Sequence, residues 1–272
     1  MKVTTLLENG SISNKLKSAH GLSVFIEYKD KKILFDLGPN NYYLKNAKKL
    51  GVKLNEVDYL IISHGHFDHG NGLTKFLNVN SKALVYVSSK AFEGYYKKNG
   101  MIKIPIGIKK PQDTERLRFI DTDLTIEEGI KMYSNVEYVK QIIGDNSLMV
   151  KTVSGYDEDH FDHEIYMVLT EGKNKVLFSG CSHKGIKNII DSIEQRRNIE
   201  ISHVIGGFHL SHYDKSNVEE SNYLNELGQS LYNHPTSKYF SCHCTGDEAF
   251  DVLKKDMNEK LERIMTGSII NI

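Results

Sequence analysis

Short apolar runs separated by polar punctuation dominate the first third of the chain. Residues 3–7, 22–28 and 32–37 are β-prone segments broken by Asn9-Gly10 and by Lys29-Asp30-Lys31-Lys32, the latter a hairpin-like turn. Between residues 40 and 50 the period changes. Tyr43, Leu44, Ala47 and Leu50 recur at helical intervals and the run stops at Gly51, which predicts a helix. A strand over residues 57–62, a short helix over 73–77 and a strand over 83–87 follow. From about residue 88 to 125 the pattern weakens into aromatic and basic residues mixed with turn formers. The second half returns to a strand-then-helix rhythm. Strands are predicted over 164–170, 175–179, 203–206 and 239–243, and helices over 187–194, 218–232 and 248–258. Two strand-rich halves covered by helices predict an α/β or α+β fold.

Composition narrows the function classes. The chain has 272 residues, enough for one large domain or two small ones, with a sizeable core. Lys plus Arg is 35 and Asp plus Glu is 35, so no global charge favours nucleic acid or a membrane surface. No apolar run approaches the roughly 20 residues of a spanning helix. The first strand meets Glu8 and Asn9 too soon for a signal peptide, so a cytoplasmic protein is expected. Only Cys181, Cys242 and Cys244 occur, an odd count that does not suggest a disulfide framework. Cys242 and Cys244 flank His243 and on a strand would point away from it, so they read as small buried hydrophobes.

The densest chemistry lies in Ser63-His64-Gly65-His66-Phe67-Asp68-His69-Gly70-Asn71-Gly72, directly after the apolar run ending at Ile62. Imidazole and carboxylate are the ligands that borderline divalent metals prefer. His64 and His66 are two apart, so in extended backbone they project to one side and can share an ion. Asp68 and His69 follow where glycines let the chain turn, and they can face a second ion. His243, at the end of the apolar run 239–242, is placed for a further ligand.

The H-x-H-x-D-H element after an apolar strand resembles the motif of the metallo-β-lactamase superfamily. Ile33-Leu34-Phe35-Asp36-Leu37-Gly38, Ser179-Gly180-Cys181-Ser182-His183, Gly206-Gly207-Phe208-His209 and His243-Cys244-Thr245-Gly246 are similar to motifs of one branch. That branch contains the dihydropterin ribofuranosylaminobenzene-phosphate synthases. The resemblance implies a single domain over residues 1–272, folded as a four-layer αβ/βα sandwich, with a substrate-facing insertion at about 88–125. It implies two divalent ions, zinc foremost, with iron or manganese as alternatives. One ion would be held by His64, His66 and His163, the other by Asp68, His69 and His243. Cys181 occupies the position of a bridging aspartate, with His183 as its competitor for that role. His163 precedes a predicted strand, and an exposed polar turn is its alternative. His209 follows Gly206-Gly207 and reads as substrate-facing, His20 lies near the site by resemblance, and Asp36 orients a metal histidine.

The resulting expectation is a dinuclear metal-dependent hydrolase that acts through a metal-activated hydroxide on a small phosphorylated metabolite, not a β-lactam. Asp68, His183 and His209 are its candidate catalytic groups. Lys97, Lys98, Lys103, Lys109 and Lys110 are candidates to meet a phosphate. Alternatives are a di-iron redox or oxygen-handling protein of the same fold and a non-catalytic binding module. No nucleic acid or membrane partner is expected, and a homo-oligomer is compatible with the chain.

Overall fold

Ser23–Tyr28 and Lys31–Phe35 pair antiparallel through a turn at Lys29, whose φ is 51°. Ile26, Ile33 and Leu34 are fully buried on this hairpin. It is the centre of a seven-stranded mixed sheet. Lys2–Leu7 and Ile269–Asn271 extend it antiparallel on one side, and Tyr59–Ile61, Leu84–Val87 and Leu117–Phe119 extend it parallel on the other. Helices Tyr42–Lys49 and Leu73–Val79 contribute Tyr43, Ala47, Leu73 and Phe76 to the core. Burying a side chain the size of Leu73 or Phe76 stabilises the fold by roughly 1.5–3 kcal/mol. These elements belong to the first of two compact units of the computed structural model, which describes residues 1–272. That unit comprises Met1–Asp121, Asn146–Ile165 and Met265–Ile272.

The second unit, Thr122–Asp145 with Tyr166–Ile264, carries its own seven-stranded sheet. Asn174–Phe178, His203–Gly206, Lys238–Ser241 and Leu261–Arg263 run parallel in that order. Tyr166–Glu171, Ile130–Tyr133 and Leu124–Glu127 continue the sheet antiparallel. Helix Ile186–Arg197 buries Ile186, Ile189, Ile190 and Ile193, one face at helical spacing. Helix Val218–Asn233 starts where the Asn217 side chain accepts the amides of Glu219 and Glu220, and it buries Leu224, Leu227 and Leu231. Gly228 lets helix Asp247–Met257 approach closely, since a Cβ there would lie 2.9 Å from an Asp256 carboxylate oxygen. No helix in the chain is long and apolar enough to cross a membrane.

The weakly patterned segment at 88–125 is not one loop. Tyr95–Asn99 and Ile102–Pro105 form a hairpin turned at Gly100 (φ 60°). Leu148–Lys151 and Tyr156–Glu158 complete a four-stranded sheet with it. Leu117–Phe119 joins the large sheet of the first unit, and Leu124–Glu127 that of the second. Ile102–Pro105 is exposed at every position, so no alternation marks it as a strand.

Candidate metal centre

In both sheets several residues of the candidate site follow the carboxyl ends of parallel strands, where open α/β sheets place their ligands. In the first unit Asp36 follows Lys31–Phe35, and Ser63-His64 follows Tyr59–Ile61. Asp36 has φ 61° and is fully buried. Its Oδ1 accepts the Ser63 amide at 2.8 Å. Its Oδ2 accepts the Ser63 hydroxyl at 2.7 Å and faces His69 Nδ1 at 2.6 Å. Ser63 Oγ also lies 2.9 Å from His64 Nδ1. The Nδ1 atoms of His64 and His69 are therefore turned to this brace, so Nε2 is the atom each would present to an ion. The His64 ring lies 4.2 Å from that of His69 and 4.7 Å from that of His66, centroid to centroid. Burial, reinforced by His69, His66 and His163, holds His64 well below the usual histidine range. Burial also lowers His66, against the opposing pull of Asp159. Neutral imidazoles are the form that binds metal.

The loop is clamped by the segment that follows Ile102–Pro105. Phe67 donates to the Ile106 carbonyl at 2.7 Å and Ile108 to the Gly65 carbonyl at 3.0 Å. Asp68 is buried, and its Oδ2 lies 3.9 Å from His69 Nε2 and 3.3 Å from His20 Nε2. Gly21 permits that approach, because a Cβ there would sit 2.4 Å from the Asp68 carbonyl oxygen.

His163 is fully buried, not part of an exposed turn. Its Nδ1 accepts the Gly65 amide at 2.8 Å, and its Nε2 lies 3.2 Å from Asp159 Oδ2. Asp159, absent from the ligand set expected from the sequence, is 3% exposed and places Oδ2 3.6 Å from His66 Nε2. Burial pushes its carboxyl up, and His163 and His66 overturn that, holding it well below the usual carboxylate range.

In the second unit Cys181 follows Asn174–Phe178, His209 follows His203–Gly206, and His243 follows Lys238–Ser241. The ligand atoms of Cys181, His183 and His209 lie within 4.8 Å of one another, as do those of Cys181, His243 and Cys244. Cys244 was read from the sequence as a hydrophobe pointing away from His243. The strand ends sooner than expected, and a 3-10 turn over His243–Thr245, entered at a His243 φ of 51°, breaks the alternation. Cys244 Sγ lies 3.4 Å from the Cys181 carbonyl oxygen. Burial would raise its thiol, but hydrogen bonding to Cys181 and His209, with His243 nearby, carries it well below the usual range. Cys242 and Cys244 are both buried.

Three further histidines have structural partners. His234 pairs with Glu194 at 3.1 Å, His212 with Asp145 at 3.3 Å, and His203 with Ser202 at 2.9 Å. Of the candidate phosphate lysines, the Lys103 ammonium lies 4.4 Å from the Tyr156 ring centroid and that of Lys110 5.5 Å from the Phe119 centroid.

Braced neutral imidazoles, carboxylates and buried thiols are donors suited to borderline divalent ions such as zinc or iron(II). Two mixed sheets bearing them at their strand ends form the frame of an α+β protein able to hold metal. The family model described as the metallo-β-lactamase superfamily matches residues 19–217, well over half of the sequence. The chain belongs to that superfamily and has its fold, as the resemblance implied. The 7,8-dihydropterin-6-methyl-4-(β-D-ribofuranosyl)-aminobenzene-5'-phosphate synthase of Methanocaldococcus jannaschii is 27% identical over 292 residues, covering 99% of this chain and 96% of the relative. The solved structure of Tm1679, described as a metal-dependent hydrolase of the β-lactamase superfamily, is 27% identical with a TM-score of 0.82, covering 100% of this chain and 99% of that one. The metallo-β-lactamase fold protein YhfI from Bacillus subtilis shares the fold at 13% identity and a TM-score of 0.61, over 99% of this chain and 98% of its own.

Proposed function

We propose that the chain is a metal-dependent hydrolase acting on a small phosphorylated metabolite with two divalent ions, zinc foremost. The observation that carries this reading is the buried His64, His66 and His69 cluster braced by Asp36 and Ser63 at the end of a parallel strand. When bound, such ions polarise a substrate oxygen and lower the pKa of water, which supplies a nucleophile at neutral pH. In the first unit His64, His66, Asp68 and His69 are the proposed ligands, with a further donor from residues 159–163. Cys181 and His243 are the proposed ligands in the second unit, where Cys244 adds a thiol beside them.

Asp68 orients the attacking water by accepting a hydrogen bond from it. His20, at 3.3 Å from its Oδ2, holds the carboxylate in place for that role. His183 and His209, with ring centroids 4.0 Å apart, donate to the leaving group or to charge developing on the substrate. The phosphate in the substrate is supported by the relative whose name ends in phosphate synthase. The small sheet carrying Lys97, Lys98 and Lys103 is the proposed substrate-facing segment, with Lys109 and Lys110 directly after it. A β-lactam has no support beyond the superfamily name.

Elemental analysis of purified protein combined with a panel of phosphomonoesters, phosphodiesters and thioesters tests the reading. Two divalent ions per chain and metal-dependent turnover of a phosphorylated compound are expected. A metal-free chain with no turnover would sink it. One second reading is a di-iron redox protein, since the buried thiols suit iron as well as zinc, and iron content with oxygen consumption and no hydrolysis is the deciding result.

A further inference from the structure

Counting donors and acceptors around His163 separates two roles that sequence spacing assigns to one residue. A backbone amide only donates, so the Gly65 N–H at 2.8 Å occupies the lone pair of His163 Nδ1. In a neutral imidazole the proton then sits on Nε2, 3.2 Å from Asp159 Oδ2, within range of a long N–H···O bond. Flipping the ring offers no escape, because it would turn Cδ2–H against the same Gly65 amide. With both nitrogens committed, His163 has no lone pair left for an ion.

Asp159 shows the opposite balance. Its Oδ1 is fixed by the Phe161 amide at 2.8 Å, a contact made with Phe161 at φ 54°. Its Oδ2 receives the His163 proton and lies 3.6 Å from His66 Nε2. Two donors each about 2.0–2.2 Å from one tetrahedral ion are separated by about 3.3–3.6 Å. A carboxylate oxygen also retains acceptor capacity after one hydrogen bond. We infer that Asp159, not His163, completes the set of His64 and His66 on one ion, and that His163 is a positioning residue tying that carboxylate to the Gly65 backbone. This rests on the reading of His64 and His66 as ligands. An anionic oxygen in place of an imidazole also makes the ion's surroundings more favourable to harder cations such as manganese.

Calorimetric zinc titration of the full chain, stripped with chelator, tests the assignment. Asp159→Asn is expected to lose one zinc equivalent or weaken its binding at least 100-fold. His163→Asn, whose amide oxygen can still accept from Gly65, is expected to keep the wild-type stoichiometry with binding about 10–100-fold weaker. Retention of wild-type stoichiometry and affinity by Asp159→Asn overturns the assignment. A second measurement needs no variant. In zinc-loaded wild type, an imidazole 15N–1H spectrum should show His163 protonated at Nε2, and an Nε2 that carries no proton and shifts on zinc loading overturns the assignment whatever the variants do. A wild-type chain that binds no metal overturns the ligand reading of His64 and His66 as well. Metal bound through His163 Nε2 overturns only the exchange of roles.

Discussion

The two units hold their candidate donors by different means. In the first, side-chain hydrogen bonds orient the rings: Asp36 and Ser63 hold His64 and His69, and the Gly65 amide and Asp159 hold His163. Beside these rings the residues with left-handed backbone, Asp36 and Phe161, belong to the bracing, not to the expected ligands; the unit's other such residue, Lys29, sits in a hairpin turn. In the second unit three of the six left-handed non-glycine positions are candidate donors or their neighbours: Ser182 at φ 58°, His209 at 52° and His243 at 51°, while Asn135, Asn198 and Asn258 lie outside the candidate donors. Each such non-glycine residue stores about 1 kcal/mol or more, held in place by its surroundings. One unit is therefore vulnerable to loss of an acceptor, and the other to changes in backbone space. The donors differ as well, imidazole and carboxylate in one and thiol with imidazole in the other, so the second favours softer ions.

The largest expected effect comes from removing donors outright. His64→Ala with His66→Ala should strip at least one metal per chain while circular dichroism stays native, because the core is built from the strands behind the loop. Retention of the full metal content would break the ligand assignment, and gross unfolding would make the cluster a structural one.

Next is the brace. Asp36→Ala leaves the Ser63 amide and His69 Nδ1 buried without their acceptor, which should lower stability by roughly 3 kcal/mol and metal affinity about 10–100-fold. Gly207→Ala is its counterpart in the second unit. The new Cβ would lie 2.4 Å from Cys244 Sγ and no closer than 3.2 Å to backbone, at the Gly180 carbonyl oxygen, so the thiol is the group that must shift. It should therefore reduce metal affinity with a smaller loss in denaturant midpoint. If the two variants lose stability alike, the contrast between the units fails.

Among the cysteines, Cys181→Ser and Cys244→Ser should each weaken metal binding several-fold, while Cys242→Ser leaves it unchanged. Equal metal content in all three variants would confine the ligands to imidazole and carboxylate.

In metal-free protein the depressed His64 and His66 make the unfolded chain the better proton acceptor just below the reference value of 6.5. Stability is thus complete above about pH 6.5 and falls as the pH drops toward the folded-state values. Bound metal should suppress that loss. Chemical denaturation across pH with and without chelator measures this, and a flat metal-free profile would contradict it. The smallest effect is expected from Lys109→Ala with Lys110→Ala. That pair should raise KM for a phosphorylated substrate modestly and leave kcat and an uncharged ester unaffected.

The long periodic elements were legible in the sequence because packing and pattern agree. Helix Ile186–Arg197 contains the predicted 187–194 and buries its isoleucines on one face, and strand His203–Gly206 has the predicted bounds. The small sheet was missed because Ile102–Pro105 buries neither face, although Asn99-Gly100 is a strong hairpin signal. Cys244 is buried as expected, but its direction was misjudged because strand alternation was carried past the end of Lys238–Ser241. The surroundings of His163 were illegible for a different reason: proximity to a strand favoured it, and the Gly65 amide that meets its Nδ1 is remote in sequence.

Gly65 has a consequence for mutational tolerance. In the H-x-H motif its position is formally free, yet a Cβ there would lie 2.4 Å from the Ala91 carbonyl oxygen and 2.8 Å from the Tyr95 ring. Neither neighbour is the far end of a flexible chain. In a saturation screen position 65 should therefore accept nothing but glycine. The two histidines could not be transplanted to another scaffold without the Ser89–Phe92 turn and Tyr95 that close over the spacer between them.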